Sequence, residues 1–150
     1  MLKIIEAPRI ATATQEDLDR LAFLAFRDSL TGLYNRNAFE QERRATSPGT
    51  FVVYMDVNGL KAVNDSRGHA AGDLYLQKAA AALSRTFRRA DDLVFRISGD
   101  EFIAFTSAIP SLAALSMFAV GSALIRDGGF EAALTSAEAA MYQNKRANRR

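Results

Sequence analysis

Arg96-Ile-Ser-Gly-Asp-Glu-Phe102 sets two adjacent carboxylates, Asp100 and Glu101, directly after a glycine and between apolar runs. Leu93, Val94, Phe95 and Ile97 lie before the acids; Phe102, Ile103, Ala104 and Phe105 follow. The pattern predicts strand, tight turn, strand, with the acids at the tip. Two like charges at one tip repel unless something positive is held there. A divalent cation such as magnesium suits the role, because hard ions take carboxylate oxygens. A solvated acidic turn would use the same residue types, Asp and Gly being ordinary turn formers. A further acid shifts the balance. Phe51-Val-Val-Tyr-Met55 reads as a short buried strand and leads into Asp56. The carboxyl end of such a strand is where open α/β sheets place ligand groups. If Asp56 pairs across the sheet with the hairpin tip, three carboxylates converge. That is the outline of a site for metal-assisted phosphoryl transfer, in which two ions clamp the attacking and leaving oxygens.

The elements that must position these groups follow from punctuation and periodicity. Residues 1–13 carry no pattern. Thr14-Gln-Glu-Asp17 has the form of a capping box, with Leu18, Leu21, Phe23, Leu24 and Ala25 following at roughly helical spacing. A second helix is expected over Arg36–Arg44, closed by Ser47-Pro-Gly49. Strand 51–55 comes next, then a loop to Asn64, then a helix from about Ala71 to Phe87. In that helix Leu74, Leu76, Ala79, Ala82 and Leu83 fit one broad face. The hairpin spans 93–106, a last strand runs from Phe118 to Ile125, and a final helix covers Phe130 to Asn148. The order βαββαβ predicts an α+β fold of the ferredoxin-like palm type, with the acidic hairpin antiparallel.

Composition narrows the function class mainly by exclusion. The 150 residues suffice for one domain with a real core. With no cysteine, neither a disulfide framework nor a thiolate metal site is open to the chain. No apolar run reaches the ~18 residues of a membrane span, and Met1-Leu-Lys-Ile-Ile-Glu-Ala-Pro-Arg9 does not read as a signal peptide. A cytoplasmic location is therefore expected. A net charge of +2 is too small to argue for a nucleic-acid partner. Lys145, Arg146, Arg149 and Arg150 form a local basic end, which would complement a helix C-terminus.

Four separated motifs together resemble the GGDEF domain, the diguanylate cyclase family, which condenses two GTP into cyclic di-GMP. Asp28-Ser-Leu-Thr-Gly-Leu-Tyr-Asn-Arg36 is similar to the family's opening motif. Asp56-Val-Asn-Gly-Leu-Lys-Ala-Val-Asn-Asp65 with Gly68-His-Ala-Ala-Gly-Asp73 is similar to the central one. Ser98-Gly-Asp-Glu-Phe102 stands at the signature, and Ala139-Ala-Met-Tyr-Gln-Asn-Lys-Arg-Ala-Asn-Arg149 resembles the closing helix. They occur in the family's order and spacing from about Asp28 onward, which divides the chain into an amino-terminal arm and helix (1–27) and a GGDEF-like domain (28–150). Ser98 replaces the first signature glycine and Asn148 a glycine near the end of the last helix.

The resemblance implies a set of roles. Asp56 and Asp100 would hold two magnesium ions (manganese could substitute), helped by the Val57 carbonyl and by Glu101, which could also assist deprotonation of the attacking 3′-hydroxyl. Backbone N–H groups of Asn58-Gly-Leu60-Lys61 would meet the β and γ phosphates, with Lys61, Lys145 and Arg149 adding charge. Asn64 and Asp73 would read guanine, whose N1–H and N2–H₂ donors suit a carboxylate and an amide. Otherwise they are a loop Asn and a helix N-cap Asp. His69 lies close to the substrate pocket and is more naturally a loop-fixing hydrogen-bonder than a base. Arg89-Ala-Asp-Asp92 stands where many cyclases carry a product-inhibition site, which would use Arg89 and Asp92; a solvated charge cluster is the alternative. The partners implied are GTP, cyclic di-GMP and a second copy of the chain. Two other readings remain: a non-catalytic module binding GTP or cyclic di-GMP, and a related palm polymerase making another cyclic oligonucleotide. One departure is evident. Only Ser107–Ser116, broken by Pro110, is available as the crossover before the last strand, where the family carries a full helix. One sheet face is therefore expected to be thinly covered, the gap being filled by the amino-terminal helix or a second subunit.

Overall fold

A computed structural model describes residues 13–147. Arg149 and the substitution at Asn148 lie outside the described residues, as does most of the amino-terminal arm. Four strands, β1 (Phe51–Val57), β2 (Leu93–Arg96), β3 (Glu101–Thr106) and β4 (Phe118–Leu124), form one sheet in the order β2-β3-β1-β4, with every neighbouring pair antiparallel. This is the ferredoxin-like palm. The helices are α1 (Gln15–Phe26), α2 (Arg36–Glu42), α3 (Leu60–Arg67), α4 (His69–Thr86) and α5 (Gly129–Ala147).

The two-residue alternation of the strands divides the core into two layers. Val53, Met55 and Val57 of β1 and Phe102 and Ala104 of β3 face α4, whose Leu76, Ala79, Ala80 and Leu83 complete that layer. Val52 and Tyr54, with Ile103 and Phe105, face the other way, against Phe39 of α2 and Ala133, Ala137 and Met141 of α5. Asp56 falls on this second face, at the end of β1.

Local differences from the sequence reading have physical causes. The expected loop from 57 to 64 is instead largely α3. Its residues Leu-Lys-Ala-Val-Asn-Asp-Ser-Arg carry no apolar period, and none is buried, so hydrophobic patterning leaves no trace of it. Its start is set by Gly59, which takes a left-handed φ of 77° that a side chain would resist. Consequently α4 begins at His69, two residues before the predicted start, with Gly68 as its N-cap, and Asp73 lies inside the helix. The 107–117 segment contains no helix, not even the one or two turns that Pro110 would leave room for. It nevertheless covers the α4 face itself: Ile109, Leu112, Leu115 and Met117 pack on that layer. The amino-terminal helix does not fill that gap. It lies beside α2, tethered through Asn35 and Asn37 amides that donate to the Ala25 carbonyl, and none of its residues is buried.

How closely α5 seats on the sheet depends on Gly121 in β4. A Cβ there would fall 2.1 Å from the Ala137 carbonyl oxygen and 2.2 Å from the Met141 nitrogen, both backbone atoms of α5. Gly121→Ala must therefore lift the helix. Overpacking of this kind costs about 1–3 kcal/mol, so thermal denaturation should show Tm lowered by roughly 3–10 °C for a domain of this size. An unchanged Tm would contradict the seating described.

Candidate functional site

Antiparallel register places Asp56 of β1 directly opposite Glu101 of β3. Directly opposed residues of neighbouring strands share a face, and like charges so placed destabilise the sheet. The ladder runs one step further through Val57, whose N–H donates to the Asp100 carbonyl at 2.9 Å, drawing the hairpin tip alongside the end of β1. The strand–turn–strand reading thus holds, with one refinement: Asp100 lies in the turn and Glu101 is the first residue of β3.

Each carboxylate in this cluster has a distinct setting. Asp56 is buried, with a side chain 8% exposed, and its Oδ1 accepts a hydrogen bond from the Lys145 ammonium of α5 at 2.6 Å. Burial pushes the Asp56 carboxyl above its ordinary range. Lys145 pulls it back, the charges on Asp100 and Glu101 push it up again, and the net displacement is upward. Glu101 is held by two hydroxyls: Tyr54 donates to Oε1 at 3.1 Å and Ser98 to Oε2 at 2.6 Å. Burial, and then the charge of Glu101, hold the Tyr54 phenol well above its usual range, so it remains a donor.

The hairpin is braced from outside the sheet. Arg96 donates to both carboxylate oxygens of Asp28 at 3.1–3.2 Å and to the Gly99 carbonyl at 2.9 Å. Asp28 in turn accepts from the Thr31 N–H and hydroxyl. Burial opposes ionisation of Asp28, but the hydrogen bonds from Thr31 and Arg96 and the Arg96 charge outweigh it, so its carboxyl sits below the ordinary range. The opening motif is therefore bonded directly to the signature turn.

A groove of about 810 Å³ is lined by Asn58 and Gly59, by Leu112, Leu115 and Ser116 of the short crossover, by Phe118 and Val120 of β4, and by Asn144 and Lys145 of α5; none of Asp56, Asp100 and Glu101 lines it, and Lys145, bonded to Asp56, connects it to the carboxylates. The Asn58 N–H is taken by the Met117 carbonyl at 2.8 Å, and its carbonyl accepts from the Tyr75 hydroxyl at 3.0 Å. Leu60 and Lys61 open α3 directly beyond Gly59, Leu60 half-buried against the core and Lys61 exposed.

Asn64, His69 and Asp73 form a separate group where α3 meets α4. Asn64 packs against the α4 backbone so tightly that a Cβ on Gly72 would fall 1.8 Å from its Oδ1. Asp73, the next residue, is exposed on α4 and is not the helix cap; His69 is the exposed first residue of that helix. Arg89 and Asp92 are also drawn together: the Arg89 N–H donates to Asp92 Oδ2 at 2.8 Å. The Arg89 guanidinium, however, donates to the Ala108 carbonyl of the crossover, beside a second groove of about 560 Å³.

Whether magnesium suits the carboxylate cluster can be judged from its donors. No three of His, Cys, Asp and Glu among the described residues gather as a group that could hold a metal ion. Magnesium, however, is commonly bound by one or two carboxylates together with substrate phosphates. Asp56, Asp100 and Glu101 offer hard oxygen, and their mutual repulsion is offset in part by Lys145. The donor chemistry fits. Sequence reasoning missed the Lys145–Asp56 ion pair and the hydroxyls of Tyr54 and Ser98. The two-residue spacing of Tyr54 from Asp56, which puts both on one face, was the signal for the first hydroxyl.

The raised Asp56 carboxyl has a consequence for stability. A folded-state pKa above the unfolded one favours the neutral form, so its contribution is present below the unfolded pKa and lost as pH rises through the folded one. At pH 7.5 ionised Asp56 therefore costs the fold stability. Asp56→Asn should leave Tm equal to or above that of the parent at pH 7.5, and the advantage should shrink as pH falls through the carboxylate range. Calorimetry at pH 7.5 and 4 checks this, and a lower Tm at pH 7.5 would contradict it.

A family model described as "Diguanylate cyclase, GGDEF domain" matches residues 25–127. The chain is 39% identical over 98 residues to the probable diguanylate cyclase DgcE of Escherichia coli K12, covering 61% of this chain and 9% of that protein. It is 38% identical over 107 residues to an uncharacterised protein from the region 5′ of hutH in Streptomyces griseus, covering 66% and 44%. The chain thus spans less than half the length of these curated relatives. In structure it is similar to the coiled coil and GGDEF domain of DgcB from Caulobacter crescentus, solved in complex with c-di-GMP. The TM-score is 0.76 at 22% identity, covering 88% of this chain and 86% of that one, a likeness of fold. With the family model spanning the opening motif, the paired carboxylate strands and the short crossover, the chain belongs to the GGDEF domain family.

Proposed function

We propose that this chain is a diguanylate cyclase, condensing two GTP into cyclic di-GMP across a homodimer. The observation that carries the reading is the Asp56–Glu101 cross-strand pair, with Asp100 alongside and with Lys145, which also lines a groove of about 810 Å³, bonded to Asp56. Like charges directly opposite each other destabilise a sheet, and a bound cation would relieve that cost.

Asp56, Asp100, the Val57 carbonyl and Glu101 would hold two magnesium ions, which when bound neutralise phosphate charge and ease loss of the 3′-hydroxyl proton. The chain's own residues do the rest. Lys145, released from Asp56, is placed to turn its ammonium toward phosphate oxygens at the groove wall. Gly59, Leu60 and Lys61 present backbone and charge at the start of α3, where a helix N-terminus favours anions, while Asn58, whose N–H is engaged by the Met117 carbonyl, fixes the approach to that turn. Asn64 and Asp73 supply the amide and the carboxylate acceptor, respectively, that distinguish guanine from adenine. Glu101 stands as acceptor for the attacking hydroxyl's proton. One domain supplies one such site, and a two-fold product from two GTP calls for a second copy to present the other nucleotide. The chemistry uses an intracellular nucleotide, in keeping with a cytoplasmic location, and no described helix is long and apolar enough to cross a membrane.

Purified protein with GTP and magnesium should yield cyclic di-GMP on chromatographic analysis, and Asp100→Ala should yield none. GTP or cyclic di-GMP binding without product would favour the non-catalytic module, and a product from ATP the alternative polymerase. Gly72→Ala should displace the Asn64 amide by steric contact. Steady-state kinetics should then show KM for GTP raised by about tenfold, the worth of one lost hydrogen bond to the base, with Asp100 and Glu101 untouched.

A further inference from the structure

The Glu101 carboxylate is held on both of its oxygens. Tyr54 reaches Oε1 from β1, and Ser98 reaches Oε2 from the turn. The two donors come from different elements and approach different oxygens, so together they fix both the position and the rotation of the carboxylate. Each is itself anchored. The Tyr54 ring is buried on the α2 and α5 face, where it belongs to the layer containing Ile103 and Ala137. Ser98 is tied to the same residue by its backbone region: the Ile97 N–H donates to the Glu101 carbonyl at 2.9 Å and the Ser98 N–H reaches it at 3.5 Å.

Lys145 bonds to Asp56 and not to Glu101. The force on a free Glu101 side chain would thus be repulsion from Asp56 opposite and Asp100 beside it, which would swing it away from the cluster. Two O–H donors oppose that swing. A carboxylate offers about four lone-pair positions, so two donors leave capacity for a cation.

We infer that Tyr54 and Ser98 are positioning residues that hold the Glu101 carboxylate beside Asp56, the serine supplying a contact that glycine at this signature position lacks. This rests on the reading of Asp56, Asp100 and Glu101 as cation-holding groups. Loss of hydrogen bonds that orient a ligating side chain typically lowers metal affinity or activity by about 10–100-fold.

The test is Mn²⁺ affinity of the full chain without nucleotide, read from the free-ion electron paramagnetic resonance signal. It covers Tyr54→Phe, Ser98→Ala, the double variant and Ser98→Thr. The double variant should bind Mn²⁺ roughly 10-fold more weakly, with each single variant between it and the parent. Ser98→Thr, which keeps the hydroxyl, should match the parent. In turnover, kcat should fall in the same order with KM for GTP and Tm unchanged. A parent that binds Mn²⁺ no better than the double variant would overturn the inference, as would a parent that turns over GTP with a kcat equal to that of the double variant. The cyclase reading fails separately: a parent that makes no cyclic di-GMP, yet shows the graded Mn²⁺ series, sinks that reading and leaves the positioning role standing.

Discussion

Everything at the functional edge of this domain answers to one electrostatic problem, the direct opposition of Asp56 and Glu101 in neighbouring strands. Inside an antiparallel sheet such a pair repels at short range, and burial of Asp56 strips away the solvent that would screen it. Three devices contain the repulsion. Lys145 brings a positive charge from α5 onto Asp56. Two hydroxyls neutralise part of the demand on Glu101. The Arg96–Asp28 ion pair keeps the turn from opening. Burial is the main reason the Asp56 carboxyl lies above its ordinary range, and the charges of Asp100 and Glu101 add to it. The remaining negative potential is what an incoming cation with a polyanionic nucleotide would use.

The compensation also explains why distant packing bears on the site. Lys145 reaches Asp56 only because α5 lies close on β4, and it lies close because Gly121 has no side chain to hold it off. The Ser98 and Tyr54 contacts likewise require the hairpin to keep its register, which the bonds between Tyr34 and β2 and between Arg96 and Asp28 enforce. Site geometry here is a property of sheet register and one helix-to-sheet distance. Loops contribute the groove wall.

The parts of this arrangement legible in the sequence were those with a period or a motif. β-branched and aromatic runs marked the strands, Ser-Gly-Asp-Glu marked the turn, and Pro110 marked the broken crossover. What escaped was polar. α3 buries none of its residues, so its turns leave no hydrophobic trace, and the sequence pattern predicts only loop as far as Asn64. The pairing of Lys145 with Asp56 joins residues 89 apart in the chain, and only the three-dimensional seating of α5 creates it. Asp73 read equally as a helix cap until Gly68 proved to hold that position. The expectation that α1 or a second subunit would cover the sheet rests on the area left bare by a missing helix, and for α1 it does not hold. It fails because a short turn-containing segment with four well-spaced apolar side chains covers such an area without any helix.

That segment changes the logic of the second arginine site. In the 107–117 crossover, the apolar side chains go inward and the backbone is left to find partners along the surface. One carbonyl, that of Ala108, finds the Arg89 guanidinium, and Asp92 turns onto the Arg89 backbone. The groups that would bind a phosphate and a guanine are thereby partly satisfied within the chain. A ligand arriving there must displace an existing charge-assisted hydrogen bond before it makes its own, and so gains less than it would from a free arginine. The short crossover thus borders two regions: Leu112, Leu115 and Ser116 line the groove that Lys145 also lines, and Ala108 holds the arginine at the opposite end of the same eleven-residue stretch.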